Sequence, residues 1–346
     1  MTQPLSDLTA QLLDLARKAG ADQADAIAVE GTSVSIDVRA GALEQAERSE
    51  GVDIGLRVLI GQRQANVSSS DTKPDTLRQM VERAIAMAKE APEDPYAGLA
   101  DVAQLAKSTD NSALELFDPS EEPDPAALQE DAARAEAAAL ENKGISQVQS
   151  ASAGYNKSRV HLSASNGFSA GYARTSRGLS CVAISGTGTG MERDYDYDSR
   201  IFQSELRDAA DIGRIAAERA VERVGARKSK TGAYPVLFDE RISSSLIGHL
   251  LQATNGAAIS RGSSWLRDAL GEQVLPDGLS IIEDPHRVRT SSSRMFDAEG
   301  LATSRRAIVD NGTLTGWTLD LANARKLGME STANAVRGTS SPLRCH

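Results

Sequence analysis

The chain has 346 residues, a net charge of −10, 40% hydrophobic residues and 25% charged residues. Two domains are expected at that length, and the composition is too apolar for disorder. The acidic balance excludes broad phosphate-tracking contact with nucleic acid, which needs a stripe of Lys and Arg, and no apolar run is long enough to span a bilayer.

From the amino terminus, Leu8, Leu12, Leu13 and Leu15 fall at helical spacing over 5–19, with Ser6 and Asp7 as capping candidates and Gly20 as the stop. Alternating runs at 24–29, 33–39 and 52–60 predict strands with one buried face. Pro74 opens a second helix over 75–89, and an acidic, proline-broken connection runs from 91 to 125. The pattern then recurs, with an alanine-rich helix at 126–142, strands at 146–153, 157–164 and 178–185, and a closing helix at 206–224. This recurrence suggests an internal duplication, 1–90 against 126–225, which the low identity between the halves does not establish.

Residues 1–225 therefore read as an amino-terminal α/β domain of helices on an antiparallel sheet, and Arg-Lys-Ser-Lys at 227–230 marks a solvated linker over 226–233. From 234 to 346 the texture changes to short glycine-rich strands at 234–238, 279–283, 304–310 and 313–319, interrupted by one helix at 242–254. Asp310-Asn311-Gly312-Thr313 is a tight hairpin signal, because Asn and Gly accept positive φ. The fold class is α+β, and this second domain is expected to be mostly β.

Chemical signals are sparse. His161, His249, His286 and His346 are scattered, whereas a catalytic zinc needs about three protein ligands plus an open position. His249 on a mainly apolar helix face reads as a core or interface residue, and His286 after Asp284-Pro285 as a loop residue. Gly186, Gly188 and Gly190 lack the following helix that a nucleotide loop requires. Glu192, Asp194, Asp196 and Asp198 share one face if extended; they read as a solvent-facing edge strand that blocks unwanted pairing, with a cation or basic-peptide site as the alternative. Cys181 sits in an apolar strand context that favours a buried, inert thiol, and two cysteines without a secretory signal point to a reducing cytoplasm.

Five landmarks carry more information in their order and spacing: Tyr-Pro-Val-Leu-Phe-Asp at 234–239, Arg-Gly-Ser-Ser-Trp-Leu at 261–266, Phe-Asp-Ala-Glu-Gly at 296–300, Asp-Asn-Gly-Thr-Leu at 310–314 and Lys-Leu-Gly-Met-Glu-Ser-Thr-Ala-Asn-Ala at 326–335. Together they resemble the TldD/PmbA family, also called modulator of DNA gyrase or peptidase U62. The resemblance implies a two-subunit peptidase in which TldD-type chains carry a His-Glu-x-x-x-His zinc motif and PmbA-type (TldE) chains do not. That motif falls here on Gly248, His249 and Ala253, so no catalytic or metal-ligating residue is expected in this chain, and zinc is expected in a partner. It also implies a barrel-like core carrying the one long helix, and a cleft or interface lined by His249, Arg261, Ser263, Trp265, Asp297 and Glu299. Against that lining role stands the reading of these last residues as loop anchors held by backbone hydrogen bonds.

The implied function is a PmbA/TldE-type accessory subunit acting on unfolded or linear peptides, with a TldD-type chain as partner and a homodimer when it is alone. A non-enzymatic modulator related to DNA gyrase, or an independent hydrolase with an unrecognised site, are the alternatives. The final Ser-Ser-Pro-Leu-Arg-Cys-His does not resemble the family's continuation, so a truncated carboxy terminus with unpaired sheet edges is expected, and Cys345 is not equated with the family's zinc cysteine.

Overall fold

The computed structural model describes residues 3–345. The amino-terminal region runs α1 (Leu5–Lys18), β1 (Gln23–Arg39), β2 (Ala42–Ile60), β3 (Arg63–Ser69), α2 (Pro74–Glu90), then α3 (Pro125–Leu140), β4 (Ile145–Ala164), β5 (Ser169–Ser185), β6 (Glu192–Arg200) and α4 (Ala209–Glu222). The six strands form one antiparallel sheet in the order β3-β2-β1-β4-β5-β6. Each helix–three-strand–helix unit contributes half of it, and β1 and β4 meet at the centre from Asp25 opposite Ala164 to Val38 opposite Ala151.

The strands are longer than local alternation predicts. Glu30-Gly31-Thr32 does not break β1, because both neighbours bond across it, Gly31 lying opposite Gly51 on one side and Ser158 on the other. β3 and the first half of β5 were missed too, although each forms a hairpin with the strand before it, β3 with β2 from Ile60 opposite Arg63 and β5 with β4 from Ser163 opposite Ser169. Ser6 and Asp7 lie inside α1, whose first turn follows Pro4 without a side-chain cap.

All four helices lie on one face of the sheet. Ala26 and Ala28 of β1 meet α1 and α2, and Val34, Ile36 and Val38 of the same strand meet α3 and α4. The opposite face carries Ile27, Leu162, Phe168 and Ala170, against which Phe296 from the carboxy-terminal region packs edge-on, 5.2 Å between ring centroids from Phe168.

That carboxy-terminal region follows residues 227–233, which are exposed and form no helix or strand. It comprises α5 (Glu240–Ala253), α6 (Gly256–Ser260), β7 (Ile281–Glu283), β8 (Arg306–Asp310), β9 (Thr313–Leu314), α7 (Leu321–Leu327), β10 (Ala335–Val336) and β11 (Arg344–Cys345). The expected hairpin joins β8 to β9, with Asn311 and Gly312 both at positive φ. Its core gathers Leu250, Ile259, Leu266, Val309, Leu314 and Leu319.

The α+β class holds, but the barrel-like closure does not form among the described residues: β7-β8-β9 is an open three-stranded sheet and β10-β11 a separate pair. Pairing with β8 ends at Thr315, which donates to Ile308 O at 2.9 Å, and the backbone of Thr318 is taken by the α5–α6 junction, donating to Thr254 O at 3.0 Å and accepting from Gly256 N at 2.8 Å. Residues 234–238, expected as a strand, run as coil with no backbone hydrogen bond to another described residue. Arg325 of α7 fixes the 91–124 connection by donating to Tyr96 O at 3.1 Å and Leu99 O at 2.7 Å. No described helix is long and apolar enough to cross a membrane.

Candidate functional site

The residues singled out by sequence separate into two places. His249 on α5 and Arg261, Ser263 and Trp265 in the loop after α6 are exposed, Trp265 at 70% of its surface. His249 is thus a surface residue and not part of the core. Asp297 and Glu299 instead lie at the junction between the carboxy-terminal region and the amino-terminal sheet. No hydrogen bond or ion pair links the two groups.

Asp297 is an anchor. Its Oδ1 accepts from the amides of Glu299 at 2.9 Å and Leu301 at 3.0 Å, and its Oδ2 accepts from Ala335 N at 3.1 Å. Two landmark segments, 296–300 and 331–335, are thereby stitched together, with Ala298 N donating to Ala335 O at 3.0 Å. Gly300 completes the turn at φ +82, and a Cβ there would stand 2.7 Å from the Phe168 ring. Asn334, from the last landmark, donates to Glu283 at 2.6 Å and accepts from Arg306 at 3.2 Å.

Glu299 accepts from Leu321 N at 2.8 Å at the start of α7. Around it lies a charged group that sequence reading missed: Asp25 and Arg57, direct cross-strand neighbours on β1 and β2, and Arg337. Arg57 Nε donates to Asp25 Oδ2 at 2.6 Å, and Arg337 pairs with the other oxygen through Nη1. Arg337 also donates to Asn66 Oδ1 at 3.2 Å, while its Nε is buried without a hydrogen-bond acceptor. Burial pulls both guanidiniums down to about 10, so at neutral pH they remain charged. The signal was present in the sequence, since Ala24-Asp25-Ala26 and Leu56-Arg57-Val58 each place a charge inside an apolar run.

These groups enclose a cavity of about 10 Å³, room for one water at most. The arrangement is an electrostatic clamp and offers no activated nucleophile. Burial pushes the carboxyls of both Asp297 and Glu299 up, Glu299 further because of the neighbouring Asp297 charge. A carboxyl raised on folding keeps its proton in the native state after the unfolded chain has lost it. Stability from this pair is therefore full below the ordinary aspartate value of 3.8 and falls as pH rises through the elevated native values. Urea midpoints measured from acid to alkaline pH are expected to decline for the native sequence and to decline less for Glu299→Gln; equal slopes would refute the assignment.

The acidic run on β6 also differs from expectation. Asp194, Asp196 and Asp198 face α4 and are buried, while Tyr195 and Tyr197 stack on the outer face. Asp196 is held by Arg207 at 2.8 Å and Arg219 at 2.7 Å, and Asp194 by Arg241 at 2.7 Å. The solvent-facing assignment is wrong because arginines of α4, its flanks and the start of α5 supply the buried counter-charge. Burial alone would raise Asp194, but Arg241, the Tyr195 amide and Arg223 outweigh it and hold it low. Cys181 lies beneath α3 with its thiol pushed up to about 12 by burial, and Cys345 Sγ donates to Thr318 O at 2.8 Å. His286 Nε2 contacts Thr303 Oγ1 at 3.1 Å in a loop. His346 lies outside the described residues.

Zinc does not fit the described residues. Gly248 brings no side chain, Ala253 is buried, His249 stands alone, and no three His, Cys, Asp or Glu side chains converge where a metal could sit.

Three family models match this chain: PmbA/TldA metallopeptidase domain 1 over 24–88, the central domain over 118–224 and the C-terminal domain over 231–346. Metalloprotease PmbA of Escherichia coli O157:H7 is 36% identical over 333 residues, covering 96% of this chain and 73% of that protein. The crystal structure of a candidate DNA gyrase modulator from Bacteroides thetaiotaomicron superposes with a TM-score of 0.89 at 27% identity, covering 98% of this chain and 76% of the other. TldE from Thermococcus kodakarensis, at 19% identity and a TM-score of 0.79 over 98% of this chain and 76% of its own, shares the fold. With its matched domains and its relative along nearly the whole length, this chain belongs to the PmbA/TldD metallopeptidase family.

Proposed function

We propose that this chain is the PmbA/TldE-type accessory subunit of a cytoplasmic metallopeptidase assembly that acts on unfolded or linear peptides, with the catalytic zinc in a TldD-type partner. The observation that carries the reading is α5. At the three positions where the zinc motif would fall, the helix presents a bare backbone at Gly248, an exposed imidazole at His249 and a buried methyl at Ala253. Two imidazoles and a carboxylate are needed there to hold zinc and manage the proton of its water. What the chain supplies instead is a rigid wall, built on a continuous sheet and a charge-clamped junction. His249, Arg261, Ser263 and Trp265, each exposed, are the residues proposed to face the cleft or the partner.

The test is to purify the chain alone and with a homologue that retains His-Glu-x-x-x-His. Metal analysis and cleavage of an unstructured peptide are expected to show far less than one zinc per isolated chain and no turnover, with activity appearing only in the mixture. Stoichiometric zinc together with cleavage by the isolated chain would overturn the proposal. Recovery of a topoisomerase in place of the zinc-motif chain would favour the modulator reading.

A further inference from the structure

On the sheet face away from the helices, two adjacent cross-strand pairs of β4 and β5 gather four hydrogen-bonding side chains: Asn156 opposite Ser176 and Ser158 opposite Arg174. They share that face with Leu162 and Ala170, because residues two apart on a strand point the same way. Directly opposed side chains stand about 5 Å apart at their Cβ atoms, so the four form one patch. A cavity of about 210 Å³ opens over it, with Leu116, Ile201 and Ser291 among its walls.

Arg174 is the informative member. It is half-buried, and its terminal nitrogens donate to backbone carbonyls, Nη1 to Ser291 O and Nη2 to Ser293 O at 2.7 Å. The Tyr172 ring covers one side of the guanidinium, 4.9 Å from ring centroid to Cζ. All of these partners are neutral. Arg57, Arg177, Arg241 and Arg306 each meet a carboxylate, at 2.6, 2.7, 2.7 and 2.8 Å, whereas Arg174 meets none among the described residues. Burial disfavours its charge, and the charged group beside it, Arg294, is a second cation. A guanidinium carries more donors than two carbonyls use. The hydroxyls of Ser158 and Ser176 and the amide of Asn156 make no hydrogen bond with another described residue, so the cavity is lined by donors without acceptors and by a cation without a counter-charge.

We propose that this patch binds a carboxylate of a linear peptide, with Arg174 supplying the charge and Ser158, Ser176 and Asn156 further donors. The inference rests on the peptide-handling reading above. A carboxylate matches the planar edge of a guanidinium, and its second oxygen and remaining lone pairs are what hydroxyl and amide donors satisfy. The cavity has room for a chain end or one acidic side chain and not for a folded partner. Such an anchor fixes the register of a peptide whose other contacts carry no sequence information. In a peptide the carboxylate comes from the carboxy terminus or from Asp and Glu, and both sources present the same group.

Fluorescence anisotropy on the full chain tests this. The probe is a short unstructured peptide free of Asp and Glu, labelled at its amino terminus with an uncharged fluorophore, in three forms: free carboxy terminus, carboxy-terminal amide, and the amide with one internal Glu. The free acid is expected to bind at least about tenfold tighter than the amide. Recovery of binding by the Glu-containing amide shows that either source is accepted; no recovery shows that the chain end is read. Ser158→Ala with Ser176→Ala is expected to weaken the free acid about tenfold at an unchanged thermal midpoint, because neither hydroxyl is bonded within the fold. Arg174→Gln is expected to erase the difference between acid and amide, and Arg174→Lys, which keeps the charge without the fork, to retain part of it. No measurable binding of the free acid, equal affinity for all three peptides, or a preference for the acid that survives both Arg174→Gln and the paired serine replacement would each overturn the assignment. Zinc content and cleavage play no part in these readouts. Loss of the carboxylate preference therefore leaves the accessory-subunit proposal standing, and zinc with cleavage in the isolated chain overturns that proposal whatever the anisotropy shows.

Discussion

Asp25→Ala is expected to destabilise the protein by about 3–5 kcal/mol, the cost of leaving buried charge without its partner. The native carboxylate is shared by Arg57 and Arg337, whose side chains are only 8% and 1% exposed. Removing it strands two cations beside each other, and burial, which raises the neighbouring Glu299 carboxyl, makes that acid a poor replacement counter-charge. The effect is also positional. Arg337 is the residue through which the 335–345 segment grips β1 and β3, so loss of Asp25 should loosen that segment first. Hydrogen exchange is expected to rise at 335–345 before the sheet responds. The contrast is a triple replacement, Asp25→Leu with Arg57→Met and Arg337→Met, which removes charge and counter-charge together and should lie within about 1 kcal/mol of the native protein or above it. A triple variant as unstable as Asp25→Ala would mean the site matters for its shape and not for its charge.

The second large effect lies on the helix face of the sheet. α3 and α4 meet through Ala132, Ala135, Ala139, Ala216, Ala217 and Ala220, all without exposed surface. At their contact a Cβ on Gly213 would stand 1.9 Å from the carbonyl oxygen of Ala135 and 2.8 Å from its carbon. Backbone cannot rotate out of the way, so the helices must separate along their length. Gly213→Ala should gain about 1 kcal/mol in helix propensity and lose about 3 kcal/mol to overpacking against backbone, for a net cost of about 2 kcal/mol. The internal comparison is Gly248→Ala on α5, where nothing lies within 4 Å and only the propensity gain applies. Chemical denaturation of both variants decides the matter: Gly213→Ala at or above native stability would show that the two helices are not locked at this distance.

Helix positions and the β8–β9 hairpin were legible because their signals are local. Periodicity placed α1 to α5 within a few residues, and Asn311-Gly312 named its own turn. Strand lengths were not legible, since Gly31 and Tyr155 are held in strands by pairing with residues far along the chain. The acidic run on β6 shows the same limit. Alternation put its carboxylates on one face, but which face is buried depends on Arg207, Arg219 and Arg241 arriving from elsewhere. Arg219 and Arg223 stand four apart on and just beyond α4, a spacing that would have revealed the pairing had the two segments been read together. Of the site, Asp297 and Glu299 were recognised as a pair, and Asp297 is held as the anchoring alternative describes. Asp25, Arg57 and Arg337 were invisible as a group because nothing in the sequence brings position 337 beside position 25.

The central seam between β1 and β4 makes the two amino-terminal units mutually dependent. A nick anywhere in the 91–124 connection would leave each fragment with its inner strand bare along most of its length, too sticky to persist alone and shaped to fit the other. Such halves, expressed as separate polypeptides, should find one another and rebuild the layer, which makes this chain a natural scaffold for split-reporter design.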